Sequence, residues 1–172
     1  MESDRLTHLD SEGRAHMVDV GAKPVTRRRA VAEGRIRMRR ETLDAIRTGD
    51  VSKGDVLAVA RLAAIGGAKR TAETIPLCHP LALTSIEVEI DVEREAPGPG
   101  LRMTVTTAVE ARTGVEMEAL CGVSAGLLAV YDMCKGLDRA MEIGEVRLVA
   151  KEGGRSGPWR RMDTNDTQEI DR

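Results

Sequence analysis

The stretch GVEMEALCGVSAGLLAVYDMCKGL, residues 114–137, constrains this chain more than any other. It reads as one long helix. Leu120, Val123, Leu127, Val130, Cys134 and Leu137 recur at helical spacing and form an apolar stripe. Cys121, Gly122, Ala125, Gly126 and Ala129 form a second stripe of small residues. A helix apolar on most sides is buried on most sides, and small residues let another helix or strand approach closely. The chain has no Phe, one Trp and one Tyr, so Leu, Val, Ile, Met and Ala must fill the core around it. The same scarcity argues against an aromatic platform for single-stranded nucleic acid.

The partners of that helix are legible on either side. In VTRRRAVAEGRIRMR (25–39), Ala30, Ala32, Gly34, Ile36 and Met38 share one face, while Arg29, Val31, Glu33, Arg35 and Arg37 share the other. That period of two predicts a strand with one basic or solvated face. RETLDAIRTGDV predicts a short helix ending at Gly49. KGDVLAVARLAAIGGAKRTAETI predicts a mostly apolar helix with Asp55 as its N-cap. LTSIEVEIDVE and GLRMTVTTAVEA alternate and are joined by a Pro/Gly-rich loop, which predicts a hairpin. EVRLVAKEGGRSG predicts a last strand running into a glycine-rich loop. Two helices on one face of a mainly antiparallel sheet suit this order, an α+β sandwich of the ferredoxin-like kind with one extra helix.

A length of 172 residues gives one domain with a real core. The expected extent is 1–157, with a polar arm over 1–24 and a flexible tail over 158–172. With 26 Lys and Arg against 28 Asp and Glu, the formal charge of −2 disfavours a nucleic-acid partner. No signal core begins the chain, and apolar runs such as GDVLAVARLAAIGGAK fall short of a membrane span. Three scattered cysteines fit a reducing compartment. A cytoplasmic protein is expected.

Four groups of residues could carry chemistry. In TIPLCHPLAL (74–83) two prolines stiffen Leu77, Cys78 and His79 into a short non-helical segment whose backbone can face a ligand. A pocket wall, a nucleophile–base pair, a metal site and a plain turn all remain open; adjacent Cys and His make poor ligands for one zinc, and no CxxC or HxxxH completes a set. Asp132 and Lys135 are spaced to share a helix face, with Glu118 nearly in line. An ion pair is the ordinary reading of such spacing, and the burial expected of this helix raises the case for proton transfer beside it. Glu116, Met117 and Glu118 open the helix, where acids suit its dipole in any case. Lys53, Arg61, Lys69, Arg70, Lys151 and Arg155 are the cations, and the loop Lys151–Gly157 offers free N–H groups to a phosphate without being a Walker sequence.

The segments LTHLDSEGRAHMVDVGAK, KGDV, AKRTAETIPLCHPL, TGVEMEAL, YDMCK and RLVAKEGGRSG, taken in this order, resemble the MoaC family, the cyclic pyranopterin monophosphate synthases of molybdenum cofactor biosynthesis. The resemblance runs from about Leu6 to Gly157. It implies a lyase that converts 3′,8-cyclo-7,8-dihydroguanosine 5′-triphosphate, the product of a radical-SAM GTP 3′,8-cyclase, to cyclic pyranopterin monophosphate and pyrophosphate. It implies a homohexamer, a trimer of dimers, with sites at subunit interfaces. By motif, Asp132 would be the acid/base, with Lys135 and Lys53 catalytic beside it. Leu77, Cys78, His79, Met117 and Glu118 would bind substrate, with Glu116, Lys69, Arg70 and Lys151 expected near it. No metal ligands and no cofactor are implied, although Mg2+ could accompany the triphosphate. Lys53 is expected to reach Asp132 from elsewhere in the fold or from a neighbouring subunit. Two rival readings stand beside this one, a zinc-dependent GTP cyclohydrolase and a non-enzymatic module that binds a small effector.

Overall fold

A computed structural model describes residues 12–95 and 98–162. The rest of the expected arm, part of the hairpin loop and the chain beyond residue 162 lie outside the described residues. The elements are β1 (Thr26–Arg37), α1 (Arg40–Thr48), α2 (Val56–Lys69), α3 (Thr71–Thr74), β2 (Ser85–Glu93), β3 (Gly100–Ala111), α4 (Glu116–Cys134), β4 (Glu142–Glu152) and β5 (Trp159–Arg160). They build one antiparallel sheet in the order β2-β3-β1-β4-β5. This is the expected α+β architecture of ferredoxin-like type, with α1 and the four-residue α3 added.

The alternation in β1 sets the layers. Ala30, Ala32 and Ile36 are buried beneath the helices, alongside Leu101, Met103, Val105 and Val109 of β3. The opposite face carries charges that pair across strands: Arg35 with Glu93 and Glu145, Arg102 with Asp91, and Arg147 with Glu33. β4 keeps register with β1 only by bulging twice, and Glu145 in the second bulge takes a left-handed φ of 53°.

α4 is the core helix. Ala119, Val123, Leu127, Val130 and Cys134 are fully buried against the sheet. Leu137 departs from the expected stripe: the helix ends at Cys134, and Leu137 is 47% exposed. α4 is long and apolar enough to cross a membrane, yet its inner face is taken up by this core. The small-residue stripe seats α2. A Cβ at Gly126 would stand 3.1 Å from Ala64 Cβ, and one at Gly67 would stand 2.5 Å from Ala125 Cβ. Asp55 caps α2 by accepting from Ala58 N–H at 2.9 Å. Gly49 ends α1 in the left-handed conformation that only glycine adopts cheaply. β5 pairs Trp159 with Lys151 and Arg160 with Ala150, so the sheet takes in two residues beyond 157.

Candidate active site

The prolines at 76 and 80 hold Leu77–His79 outside any helix, and the start of α4 lies opposite. Between them is a cavity of about 400 Å³. Leu77, Cys78, His79 and Leu81 form one wall; Glu116, Met117 and Glu118 form the other. Val18, Val20 and Lys23 close the third side, so this part of the arm belongs to the site.

Each polar group here has a distinct state. His79 Nε2 lies 2.9 Å from the carbonyl oxygen of Val18. A carbonyl can only accept, so Nε2 carries a proton there, which leaves Nδ1 as the ring nitrogen to meet a ligand. Glu118 is buried, and burial pushes its carboxyl up; Glu116 adds to the rise while Glu118's own N–H opposes it. Burial, then the charge of Glu118, then Cys121, raise the Cys78 thiol. A thiol held up in this way is a poorer nucleophile, which weighs against the nucleophile–base reading. No cluster of three or more His, Cys, Asp or Glu side chains able to hold a metal forms among the described residues.

Lys23, Thr113 and Gly114 are shared with a second cavity of about 600 Å³, which also meets Arg28, Arg112 and Arg155. Arg28 donates to the carbonyls of Ala111 and Arg112 at 3.0 and 3.2 Å, and Arg112 donates to that of Lys23 at 3.0 Å. Carbonyls orient a guanidinium without cancelling its charge, and among the described residues no carboxylate pairs with either. The glycine loop closes over Arg28. Gly153 has φ 86°, and a Cβ there would lie 2.2 Å from the Arg27 carbonyl oxygen, so no other residue fits. Lys151 hydrogen-bonds Ser156 of this loop and lines a smaller cavity with Glu116.

The three residues expected to be catalytic gather at the far end of α4. Lys53 Nζ donates to Asp132 Oδ2 at 2.9 Å and to its carbonyl at 2.8 Å; Lys135 Nζ stands 2.7 Å from Oδ1. Lys53 thus reaches Asp132 within one chain. The expected burial of this group is wrong: the side chains of Lys53, Asp132 and Lys135 are 45%, 58% and 51% exposed, because α4 presents this face to solvent at its last turn. Hydrogen bonds from Lys135 and then Lys53 hold the Asp132 carboxyl down at about 2, and Asp132 in turn raises Lys135.

From Glu118 to Asp132 α4 rises about 21 Å, so one chain brings together two groups of candidate residues but not the groups with each other. Lys69 and Arg70, at the end of α2, are exposed and line none of these cavities. Sequence reasoning missed Val18, Lys23, Arg28 and Arg112. Arg28 was findable, since it has the core-facing parity of Ala30 and Ala32, where a cation is out of place unless a ligand or carbonyl holds it.

The class these features define is an α+β protein of ferredoxin-like type with a polar cleft at the start of its core helix. The pattern of the MoaC family matches residues 17–154, and the chain belongs to that family. It is 56% identical over 158 residues to the cyclic pyranopterin monophosphate synthase of Thermomicrobium roseum, covering 92% of this chain and 94% of the relative. It is 56% identical to that of a Roseiflexus species, over 90% of this chain and 96% of the relative. With the same enzyme of Novosphingobium aromaticivorans it shares 54%, over 90% and 96%.

Proposed function

We propose that this chain is a cyclic pyranopterin monophosphate synthase of molybdenum cofactor biosynthesis. It takes 3′,8-cyclo-7,8-dihydroguanosine 5′-triphosphate, supplied by a radical-SAM GTP 3′,8-cyclase, and releases cyclic pyranopterin monophosphate and pyrophosphate as a lyase. The observation that carries this reading is the unneutralised basin of Lys23, Arg28, Arg112 and Arg155 opening into the pocket of His79 and Glu118. A polyphosphate suits the guanidinium groups, and a heterocycle that must gain and lose protons suits a raised carboxyl and an imidazole lining the same pocket. The reaction is a rearrangement with no net redox change, so acids, bases and an anion clamp suffice.

The distant Lys53–Asp132–Lys135 group serves a site on another copy. A nucleotide-sized molecule is too short to touch both ends of α4, and a homohexamer with sites at subunit interfaces brings one chain's triad to another's pocket. A carboxylate held at about 2 is a feeble base at neutral pH. Asp132 therefore first orients two ammonium groups; once phosphate draws the lysines away, its basicity rises and it can take a proton. Any Mg2+ would arrive with the triphosphate rather than on a protein ligand set. The enzyme works in the cytoplasm, where its nucleotide substrate is made. Incubating the pure protein with the cyclised nucleotide should yield the pterin product and pyrophosphate; absence of both with intact oligomer would defeat this reading.

A further inference from the structure

Asp138 is a carboxylate that the catalytic scheme does not use, yet it is only 3% exposed. It follows α4 in the turn that begins at Lys135. Its Oδ2 accepts the backbone N–H of Arg39 at 2.8 Å and faces Thr42 Oγ1 at 3.4 Å, both at the start of α1. Its Oδ1 accepts Ala140 N–H at 3.1 Å and stands 3.5 Å from Arg39 Nε. No side chain of α1's own caps that helix, so Asp138 supplies the acceptor from across the fold.

The same residue fixes the other side of the turn. Asp138 N–H and Leu137 N–H both donate to the carbonyl of Cys134, at 3.0 and 2.8 Å, and Lys135 N–H donates to Tyr131 at 2.8 Å. Arg39 also hydrogen-bonds the Leu137 carbonyl from outside. The three residues between Cys134 and Asp138 are thereby pinned at both ends, and one of them is Lys135. Lys53, just ahead of α2, takes its position from Asp132. The side chains of the triad are half-exposed, whereas Asp138 is a buried anchor in the same turn.

We propose that Asp138 is a positioning residue for the reaction, tying the Lys135 turn to the start of α1 so that Asp132 sits between its two lysines. The inference rests on the synthase reading for its kinetic consequence, but not for its structural one. Without the tie the turn shifts, and misplacements of this size are costly in catalysis.

The test is Asp138→Asn in the full-length protein, with two readouts. On the cyclised nucleotide, kcat should fall between about tenfold and 10²-fold while KM stays within about twofold, well below the melting temperature. The second readout needs no turnover: 13C NMR titration of labelled aspartate carboxyls, with the Asp132 signal assigned from Asp132→Asn. Removing a nearby negative charge would lower the Asp132 midpoint, whereas loosening its lysines raises it from about 2 toward the ordinary 3.8. A rise supports the proposal; an unchanged or lowered midpoint, or a folded variant with normal kcat, overturns it. Should wild type show no turnover, the synthase reading fails and the titration alone decides this inference. Should Asp138→Asn not fold, Thr42→Val, which removes the hydroxyl facing Asp138 Oδ2 without any change of charge, must raise the midpoint in the same direction by a smaller amount; no change there sinks the idea.

Discussion

Asp132 and Glu118 are carboxylates on one helix in opposite states, and each makes a separate prediction. Asp132 is exposed between two lysines, so its pairs add little to stability and its value is to the ligand. Asp132→Asn should reduce turnover by roughly 10²–10⁴-fold with the melting temperature nearly unchanged. A structural ion pair would show activity tracking the folded fraction, so both quantities are to be measured on the same sample. Glu118 runs the other way. Its folded carboxyl titrates above its ordinary value of 4.5, so the stability it contributes is full below that value and is lost as pH rises through the raised one. Glu118→Gln should match wild type in melting temperature near pH 4 and exceed it at pH 8, while turnover falls. A difference independent of pH would show that Glu118 is not the group responsible.

At the scale of elements, the α2–α4 contact gives the sharpest test because adjacent glycines in α2 have opposite surroundings. A Cβ at Gly66 meets nothing within 4 Å, so Gly66→Ala should gain up to about 1 kcal/mol of helix propensity. At Gly67 the same gain competes with a Cβ 2.9 Å from the Cys121 backbone oxygen, which cannot move aside. Overpacking costs about 1–3 kcal/mol, so Gly67→Ala should be the less stable of the two. Denaturant midpoints at constant m value measure both. The small-residue stripe that makes this contact was readable from spacing alone, as were β1, the hairpin and the Asp55 cap. Periodicity reports one element at a time, and there it is reliable. It did not reveal that the stripe of α4 stops short of Leu137, or that the last turn emerges into solvent at Asp132, because the end of a helix depends on what lies beyond it. Nor could it show Val18 lying against His79, a contact made by a backbone carbonyl that carries no side-chain signal.

For the whole molecule, one fact governs the account: the two groups of site residues stand at opposite ends of α4, about 21 Å apart. Leu62 on α2 and Leu128 on α4 expose apolar surface, which the proposed homo-oligomer would cover. If the site is built from two chains, inactive variants must repair one another. Glu118→Gln damages the pocket and Asp132→Asn damages the triad, and each should be inactive alone. Dissociating and reassembling them in equal amounts places an intact pocket beside an intact triad in about one quarter of the sites. Recovery of up to about that fraction of wild-type turnover is expected. Reassembled mixed oligomers that stay as inactive as either parent would contradict it.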